Sequence, residues 1–305
     1  MIRRRALLQS VAAAGVTLAT PRMTWAQSAV VAGDTKLHTL SDGHLVLPRS
    51  FVLGDMPAPG ADEILTRNGL VGETVSPDCN VTLLRTADRT VLFDVGSGAD
   101  FMASAGKLSD ALDQLGVDPF DITDVVFTHA HPDHLWGLLD DFGDLWFPEA
   151  AYHIGQTEWD YWTNPNTVST IRSDRQAFAV GAANRLGEIA DRITFFGDGA
   201  EVLPGVTARA TPGHTPGHMA FAVQVGTETI MIVGDAIGNH HIGFEQPTWH
   251  SNSDQDPILG AKTRAGLLDQ LTQDQMRFVG FHLPGGGLGR AEKRDSGYIF
   301  VGEET

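Results

Sequence analysis

The residues with most chemistry to offer lie together in Thr128-His129-Ala130-His131-Pro132-Asp133-His134, which carries three imidazoles and one carboxylate within six positions. Side chains two apart in extended chain point to the same side, so His129 and His131 can chelate one cation. Asp133 and His134 then turn toward a second position. Nitrogen and oxygen donors of this kind suit zinc, which keeps an open coordination position when it is catalytic. A chance polar turn seldom collects so many donors directly behind an apolar run such as Asp124-Val125-Val126-Phe127.

Three later segments repeat the arrangement of an apolar strand that ends in a metal-type ligand. Thr211-Pro212-Gly213-His214-Thr215-Pro216-Gly217-His218 supplies two more imidazoles. Ile230-Met231-Ile232-Val233-Gly234-Asp235 ends in a carboxylate, and Phe278-Val279-Gly280-Phe281-His282 in a histidine. Functional groups of α/β proteins gather at the carboxyl ends of strands. One such segment alone means little, and four together point to a metal centre.

The elements that must position these groups are legible from periodicity. Residues 36–47 and 79–93 read as strands in antiparallel pairs, the second turning at Thr86-Ala87-Asp88-Arg89. Asp94-Val95-Gly96-Ser97-Gly98 reads as a flexible loop. Leu108, Ala111, Leu112 and Leu115 recur at helical spacing, and Gly116 supplies a stop. Further strands are expected at residues 124–127, 151–154, 193–196, 206–210, 219–225, 229–233 and 278–281. Helices are expected over residues 173–190 and from Asp256-Pro257, a cap followed by proline at the first helical position. Leu267, Leu268 and Leu271 give that second helix its apolar face. Strand pairs alternating with helices make an α/β fold with mixed sheets. No linker, repeat or low-complexity tract divides the chain, so a single domain over residues 27–305 is expected.

Residues 1–26 are expected to be removed. Arg3-Arg4-Arg5, a short run rich in Ala, Val and Leu, and Thr24-Trp25-Ala26 form the charged start, apolar middle and cleavable end of a twin-arginine export signal. The mature protein would be periplasmic or secreted, without a membrane anchor. Loss of the segment's four arginines, and of no acids, takes the formal net charge from −17 to −21. Such an acidic surface repels phosphate backbones and anionic lipid, which argues against nucleic-acid and membrane partners and for a small-molecule substrate. A homodimer is compatible with the composition. Cys79 is the single cysteine, so there is no internal disulfide and a cysteine-rich zinc site is excluded. Cys79 itself reads as a small buried hydrophobe.

The order His-x-His-x-Asp-His, Gly-His-Thr-Pro-Gly-His, Gly-Asp and a final His resembles the metallo-β-lactamase superfamily over about residues 36–300. The resemblance implies an αββα sandwich with metals at one edge of the two sheets. It implies one ion on His129, His131 and His214, a second on Asp133, His134 and His282, and Asp235 bridging them. His218 would orient the loop through a hydrogen bond from behind the ligands. Zinc is the first expectation for the two divalent ions, with manganese, cobalt or iron also accepted by such ligands. Asp235 stands where classical β-lactamases carry cysteine or serine, and His131 where flavodiiron oxidoreductases carry glutamate. The inserted domain of RNA-processing members has no room here, and the basic C-terminal helices of glyoxalase II have no counterpart. Gly238 occupies the position where acyl-homoserine lactonases carry a tyrosine. Val233-Gly234-Asp235, Ser253-Asp254, Gly280-Phe281-His282-Leu283-Pro284 and Gly297-Tyr298 are most similar to the methyl parathion hydrolase-like subfamily.

The activity so implied is hydrolysis of uncharged esters, whether organophosphate triester, carboxyl ester or lactone, by a hydroxide that two divalent ions generate near neutral pH. Asp133 and Asp235 would be the catalytic carboxylates, Asp235 setting the metal spacing and Asp133 orienting the nucleophile. Trp159, Trp162, Trp249 and His240 are candidates for the substrate wall, set against the plainer reading of such aromatics as core. His153, His241 and His250 read equally as surface groups, and His38 and His44 as structural. A quorum-quenching lactonase, a mononuclear iron persulfide dioxygenase and a non-enzymatic metal-binding protein remain as alternatives.

Overall fold

The computed structural model describes residues 26–303 except Asp55 and His240. The segment read as an export signal lies outside the described residues, apart from Ala26 at the start of the first strand. Two seven-stranded sheets and their flanking helices form four layers, αββα. The first sheet runs β1 (Ala26–Ala32), β2 (Thr35–His44), β5 (Asp78–Arg85), β6 (Thr90–Phe93), β7 (Asp124–Val126), β8 (Ala151–Gly155) and β9 (Ile193–Phe196). The second runs β10 (Glu201–Leu203), β11 (Val206–Ala210), β12 (Met219–Val225), β13 (Glu228–Gly234), β14 (Phe278–Gly280), β15 (Leu288–Arg294) and β16 (Gly297–Gly302). Between β2 and β5 the chain leaves the sheet. There β3 (Leu47–Pro48) and β4 (Thr74–Val75) pair with each other and enclose α1 (Arg49–Leu53) and α2 (Ala58–Arg67).

Parallel neighbours need a long return path, which helices supply. In the first sheet β6, β7, β8 and β9 are parallel. Their crossovers carry α3 (Gly98–Phe101), α4 (Leu108–Leu115), α5 (Pro132–Leu135), α6 (Gln156–Thr163), α7 (Thr167–Thr170) and α8 (Gln176–Glu188). In the second sheet β13 and β14 are parallel, linked through α9 (Ile242–Glu245) and α10 (Pro257–Gln273). Parallel strands finish at one edge, so the loops that leave them meet there.

Alternation along the strands sorts the apolar side chains between layers. Val91, Phe93 and Val126 meet Phe221, Val223 and Ile232 between the sheets. Leu92, Val125 and Ile154 point the other way, to Leu112 of α4 and Leu186 of α8. Met231 and Val233 face Leu267, Leu268 and Leu271 of α10. Strands covered on both faces need apolar residues at nearly every position, which accounts for unbroken runs such as Ile230-Met231-Ile232-Val233. The caps behave as their residue types predict. Asp256 accepts a hydrogen bond from the Leu259 amide at 3.0 Å ahead of Pro257, and Gly116 closes α4 at φ 67°. No helix among the described residues is long and apolar enough to cross a membrane.

Two local expectations need correction. The strand expected over residues 36–47 ends at His44, because the chain departs there into its excursion. The loop at Asp94-Val95-Gly96-Ser97-Gly98 is fixed rather than flexible. The amides of Ser97, Gly106 and Leu108 donate to the buried Asp42 carboxylate at 2.8, 3.3 and 2.9 Å, and Val95 N donates to His134 O at 2.9 Å.

Phe221 is fully buried, its ring 5.4 Å from Phe93 and 5.7 Å from Phe196. Phe221→Ala is expected to cost about 3–5 kcal/mol, read as a lower urea midpoint. An unchanged midpoint would show that the sheets do not pack around this ring.

Candidate metal centre

The loops after β6, β7, β11, β13 and β14 converge at one edge of the sandwich. The first offers Asp94, the second His129 to His134, the third His214 and His218, the fourth Asp235 and the last His282. All are buried. Their metal-type atoms fall into two groups, His129, His131 and His214 in one and Asp133, His134, Asp235 and His282 in the other. In the first group His131 Nδ1 lies 3.1 Å from His129 Nε2 and 2.9 Å from His214 Nε2. In the second, His282 Nε2 is 3.2 Å from both Asp133 Oδ2 and Asp235 Oδ2, and His134 Nε2 is 3.3 Å from Asp235 Oδ1. Asp235 Oδ2 also lies 3.2 Å from His214 Nε2, so this carboxylate spans the two groups.

The far nitrogens of these rings have partners of their own. His134 Nδ1 lies 2.8 Å from Asp94 Oδ2, and His282 Nδ1 lies 2.7 Å from Asp78 O. His129 Nδ1 is 3.0 Å from Thr128 Oγ1. His214 Nδ1 is 3.3 Å from Asp254 Oδ1, whose other oxygen accepts from Arg264 at 2.6 Å. Such backing sets the tautomer and turns the remaining nitrogen into the site. His218 occupies the place expected for it: its Nε2 accepts from the Asp235 amide at 3.0 Å and its Nδ1 faces Thr211 Oγ1 at 2.8 Å. Burial holds its imidazole down to about 3, so it stays neutral. Gly234 makes the approach feasible, since at φ 50° a Cβ there would lie 2.7 Å from His218 Nε2.

Asp133 Oδ2, His134 Nε2 and Asp235 Oδ1 are buried without a hydrogen-bond partner. Buried polar atoms are rarely left so. These unpartnered atoms belong to the second group, and in the first the facing imidazole nitrogens have only one another as hydrogen-bond partners; two such groups of nitrogen and oxygen donors fit a pair of divalent cations. The electrostatics agree. Burial, then the neighbouring imidazoles, lower the His129 ring; for His131 the lowering comes from burial, then His214 and Arg175. Both therefore offer free nitrogens. Burial alone would lower His134 and His282 too, but the Asp235 carboxylate, aided by Asp133, holds both well above the usual histidine range.

Two contributors were not legible as functional residues. Glu158 of α6 is fully buried. It accepts from Ala130 N at 3.0 Å and Trp162 Nε1 at 2.6 Å through one oxygen, and from Thr215 Oγ1 at 2.7 Å and Gly217 N at 3.0 Å through the other. It thus ties the loop after β7 to the loop after β11. The one sequence signal was its spacing of four from Trp162, which puts the two on one helix face. Asp94, read as part of a flexible loop, sits at φ 65°, a left-handed conformation that aspartate tolerates better than most residues. It binds Thr128 N at 2.8 Å and Thr128 Oγ1 at 2.7 Å as well as His134.

The expected substrate wall needs correction. A cavity of about 130 Å³ opens over the two groups, with His131, Asp133, His214, Asp235 and His282 at its floor. Its apolar side is built by Leu45, Phe51, Leu70, Phe101 and Phe178, and none of Trp159, Trp162 or Trp249 lines it. Trp162 is core, bonded to Glu158 and set edge-on to His131 at 5.6 Å. Trp159 packs on Phe195 at 5.3 Å, and Trp249 on the cluster of Met56, Ile64 and Leu65. Helix and cluster packing claims these rings, whereas the excursion over residues 45–76, silent in the sequence, supplies much of the wall. His240 lies outside the described residues. His153 is buried against Asp124 at 3.0 Å, and His250 is exposed. Cys79 is a buried free thiol, which burial raises to about 12.

The sequence profile of the metallo-beta-lactamase superfamily matches residues 77–300. The chain belongs to that superfamily. Relatives include the protein named Probable metallo-hydrolase from Mycobacterium bovis, 29% identical over an alignment of 182 residues that covers 52% of this chain and 56% of that one. The N-acyl homoserine lactonase AttM of Agrobacterium fabrum is 29% identical over 131 residues, 42% of this chain and 46% of its own. The chain thus spans about half the length of these relatives. Among solved structures, AidC, a dizinc quorum-quenching lactonase, matches with TM-score 0.85 at 26% identity, over 92% of this chain and 99% of that one. The superfamily match begins at residue 77, so most of the cavity's excursion wall lies ahead of it.

Glu158→Gln leaves one acceptor oxygen where two now serve four donors, and is expected to weaken metal binding about 10–100-fold in chelator competition. Unchanged affinity would reduce Glu158 to a packing role. Because His134 and His282 hold protons above their ordinary range, metals must displace them. Affinity should therefore rise with pH, with proton release seen by calorimetry in buffers of different ionisation enthalpy. A pH-independent affinity would contradict this.

Proposed function

We propose that the protein is a dinuclear metal-dependent hydrolase of lactones and related uncharged carboxyl esters that carry an apolar arm. The observation that carries this reading is a cavity with two groups of metal-type ligands at its floor and aliphatic and phenyl side chains on its walls. The named activities of AttM and AidC as lactonases support the choice of ester. The second ligand group would have no purpose in a mononuclear iron oxygenase, and the open cavity above it favours an enzyme over a storage protein.

When bound, two divalent ions supply Lewis-acid polarisation of the scissile oxygen and a hydroxide nucleophile near neutral pH. His129, His131 and His214 would hold one, Asp133, His134 and His282 the other, and Asp235 both. The chain's own contribution is preorganisation. Asp235 is aimed by the bond from its amide to His218, and Asp94 holds His134 from behind. Asp133 keeps its carboxyl well below the usual range despite burial, because the His134 and His282 imidazoles face it, so it remains an anion able to orient a proton-bearing nucleophile. Leu45, Phe51 and Phe178 exclude water and bed the apolar arm. A low-dielectric surround strengthens each of these electrostatic contacts.

The test is metal content of the purified protein alongside hydrolysis of an acylated lactone, a nitrophenyl ester and a methyl parathion-type triester. About two ions per chain with turnover of the lactone is the expected result. His131→Ala and Asp235→Ala should lose metal and activity together. One iron per chain, or two ions without lactone turnover, would overturn the reading, and triester turnover alone would move it to phosphotriesters.

A further inference from the structure

We propose that Asn252 is a positioning residue that clamps two walls of the cavity together and so sets how tightly the site holds a long apolar acyl arm. This rests on the ester-hydrolase reading above. Asn252 is not itself a lining residue. It lies in the loop ahead of α10, beside Ser253, which does line the cavity.

On one side this loop caps α1. The last carbonyls of a helix have no partner within it, and α1 is only five residues long. Asn252 Nδ2 donates to Phe51 O at 3.3 Å, and the Asn252 amide donates to Val52 O at 3.3 Å. Ser251 Oγ donates to Val52 O as well, at 3.4 Å. The chain turns away at Gly54, at φ 51°, where a Cβ would lie 2.3 Å from Asn252 Cβ, so the side chain is packed against the end of the helix. Phe51 and Val52 are the residues that α1 presents to the cavity. Arg49, at the start of α1, binds Glu73 O, Gly72 O and Asp62, all within the excursion. Among the described residues, the hydrogen bonds from α1 to chain outside the excursion run to Ser251 and Asn252.

On the other side Asn252 is held by the turn before α8. Arg172 Nη1 donates to Asn252 Oδ1 at 2.6 Å and to Asn252 O at 3.1 Å. Arg175 Nη2 donates to the carbonyl oxygens of Asn252 and Ser253 at 2.8 and 2.7 Å. Phe178 of α8 follows and lines the cavity, its ring 6.3 Å from Phe101. One side-chain amide thus spans both walls, its oxygen taking the α8 side and its nitrogen the α1 side. An arm of eight carbons must bed on Phe51 and its neighbours to leave water. An acetyl group is held almost entirely at the floor.

The experiment compares metal-loaded wild type, Asn252→Ala and Asn252→Asp on 4-nitrophenyl octanoate and 4-nitrophenyl acetate, which share one leaving group. In Asn252→Ala the KM for the octanoate should rise about fivefold or more, with kcat and the acetate kinetics within about twofold. Asn252→Asp keeps the acceptor for Arg172 and loses the donor to Phe51 O, and should raise the same KM by a smaller factor. Octanohydroxamate and acetohydroxamate, which chelate metal ions without being cleaved, read the wall without turnover: calorimetry should show only the longer one weakened. Metal content and circular dichroism identify a misfolded variant, and Asn252→Asp then decides by the same comparison. An unchanged KM for the octanoate, or equal losses on both esters, would overturn the clamp. A wild type that cleaves neither ester would overturn the hydrolase reading, and the two hydroxamates would then decide the clamp alone, equal weakening of both or of neither overturning it.

Discussion

Asp133 and Asp235 are carboxylates taken out of water, and three imidazoles, those of His134, His214 and His282, face them at 3.2 to 3.5 Å. Desolvating so many polar atoms is unfavourable unless they are paired. Much of the surrounding structure serves this one constraint. The far sides of His134, His214, His218 and His282 are each tied to a residue outside the ligand set, and Asp235 receives a hydrogen-bond partner for its own amide. What remains unpaired points inward. A cluster arranged in this way is poised for cations, and its cost is offset when they bind.

Topology makes the convergence feasible. The parallel runs β6 to β9 and β13 to β14 deliver their loops to one edge of each sheet. The inter-sheet core then holds those edges side by side. Glu158 adds a direct tie between the two histidine loops, using a helix that belongs to neither. A buried carboxylate with four donors is a stiff joint, because losing any one bond leaves charge or an amide unsatisfied.

The floor and the wall of the cavity have different origins. The floor comes from strand ends within the superfamily match, and much of the wall from the excursion between β2 and β5 together with α3 and α8. Chemistry and selectivity are thus carried by separate pieces of chain. The floor can stay rigid while the wall varies in size and polarity, as a scaffold with variable loops allows.

The amino-acid sequence by itself showed a cluster of metal-type donors behind apolar strands and an α/β class with mixed sheets, while the layered sandwich and the grouping of the ligands followed from its resemblance to the superfamily. The strands at Met219–Val225, Glu228–Gly234 and Phe278–Gly280 were legible because their nearly continuous burial leaves a local record in composition, whereas the short, partly exposed β10 was not. The sources of the second layer around the site were decided only by tertiary structure. Glu158 lies 28 residues from Ala130 and 59 from Gly217, and Arg175 lies 77 from Asn252. No local pattern records contacts across such distances. The tryptophans misled for the related reason that residue type signals burial but not against what: Trp162 went to core and Trp159 and Trp249 packed half-buried against neighbouring clusters, while Phe51 and Leu70, in a stretch without clear periodicity, became the wall. Local sequence carries propensity and pattern, whereas the partner of a buried polar group is chosen by the packing of distant elements.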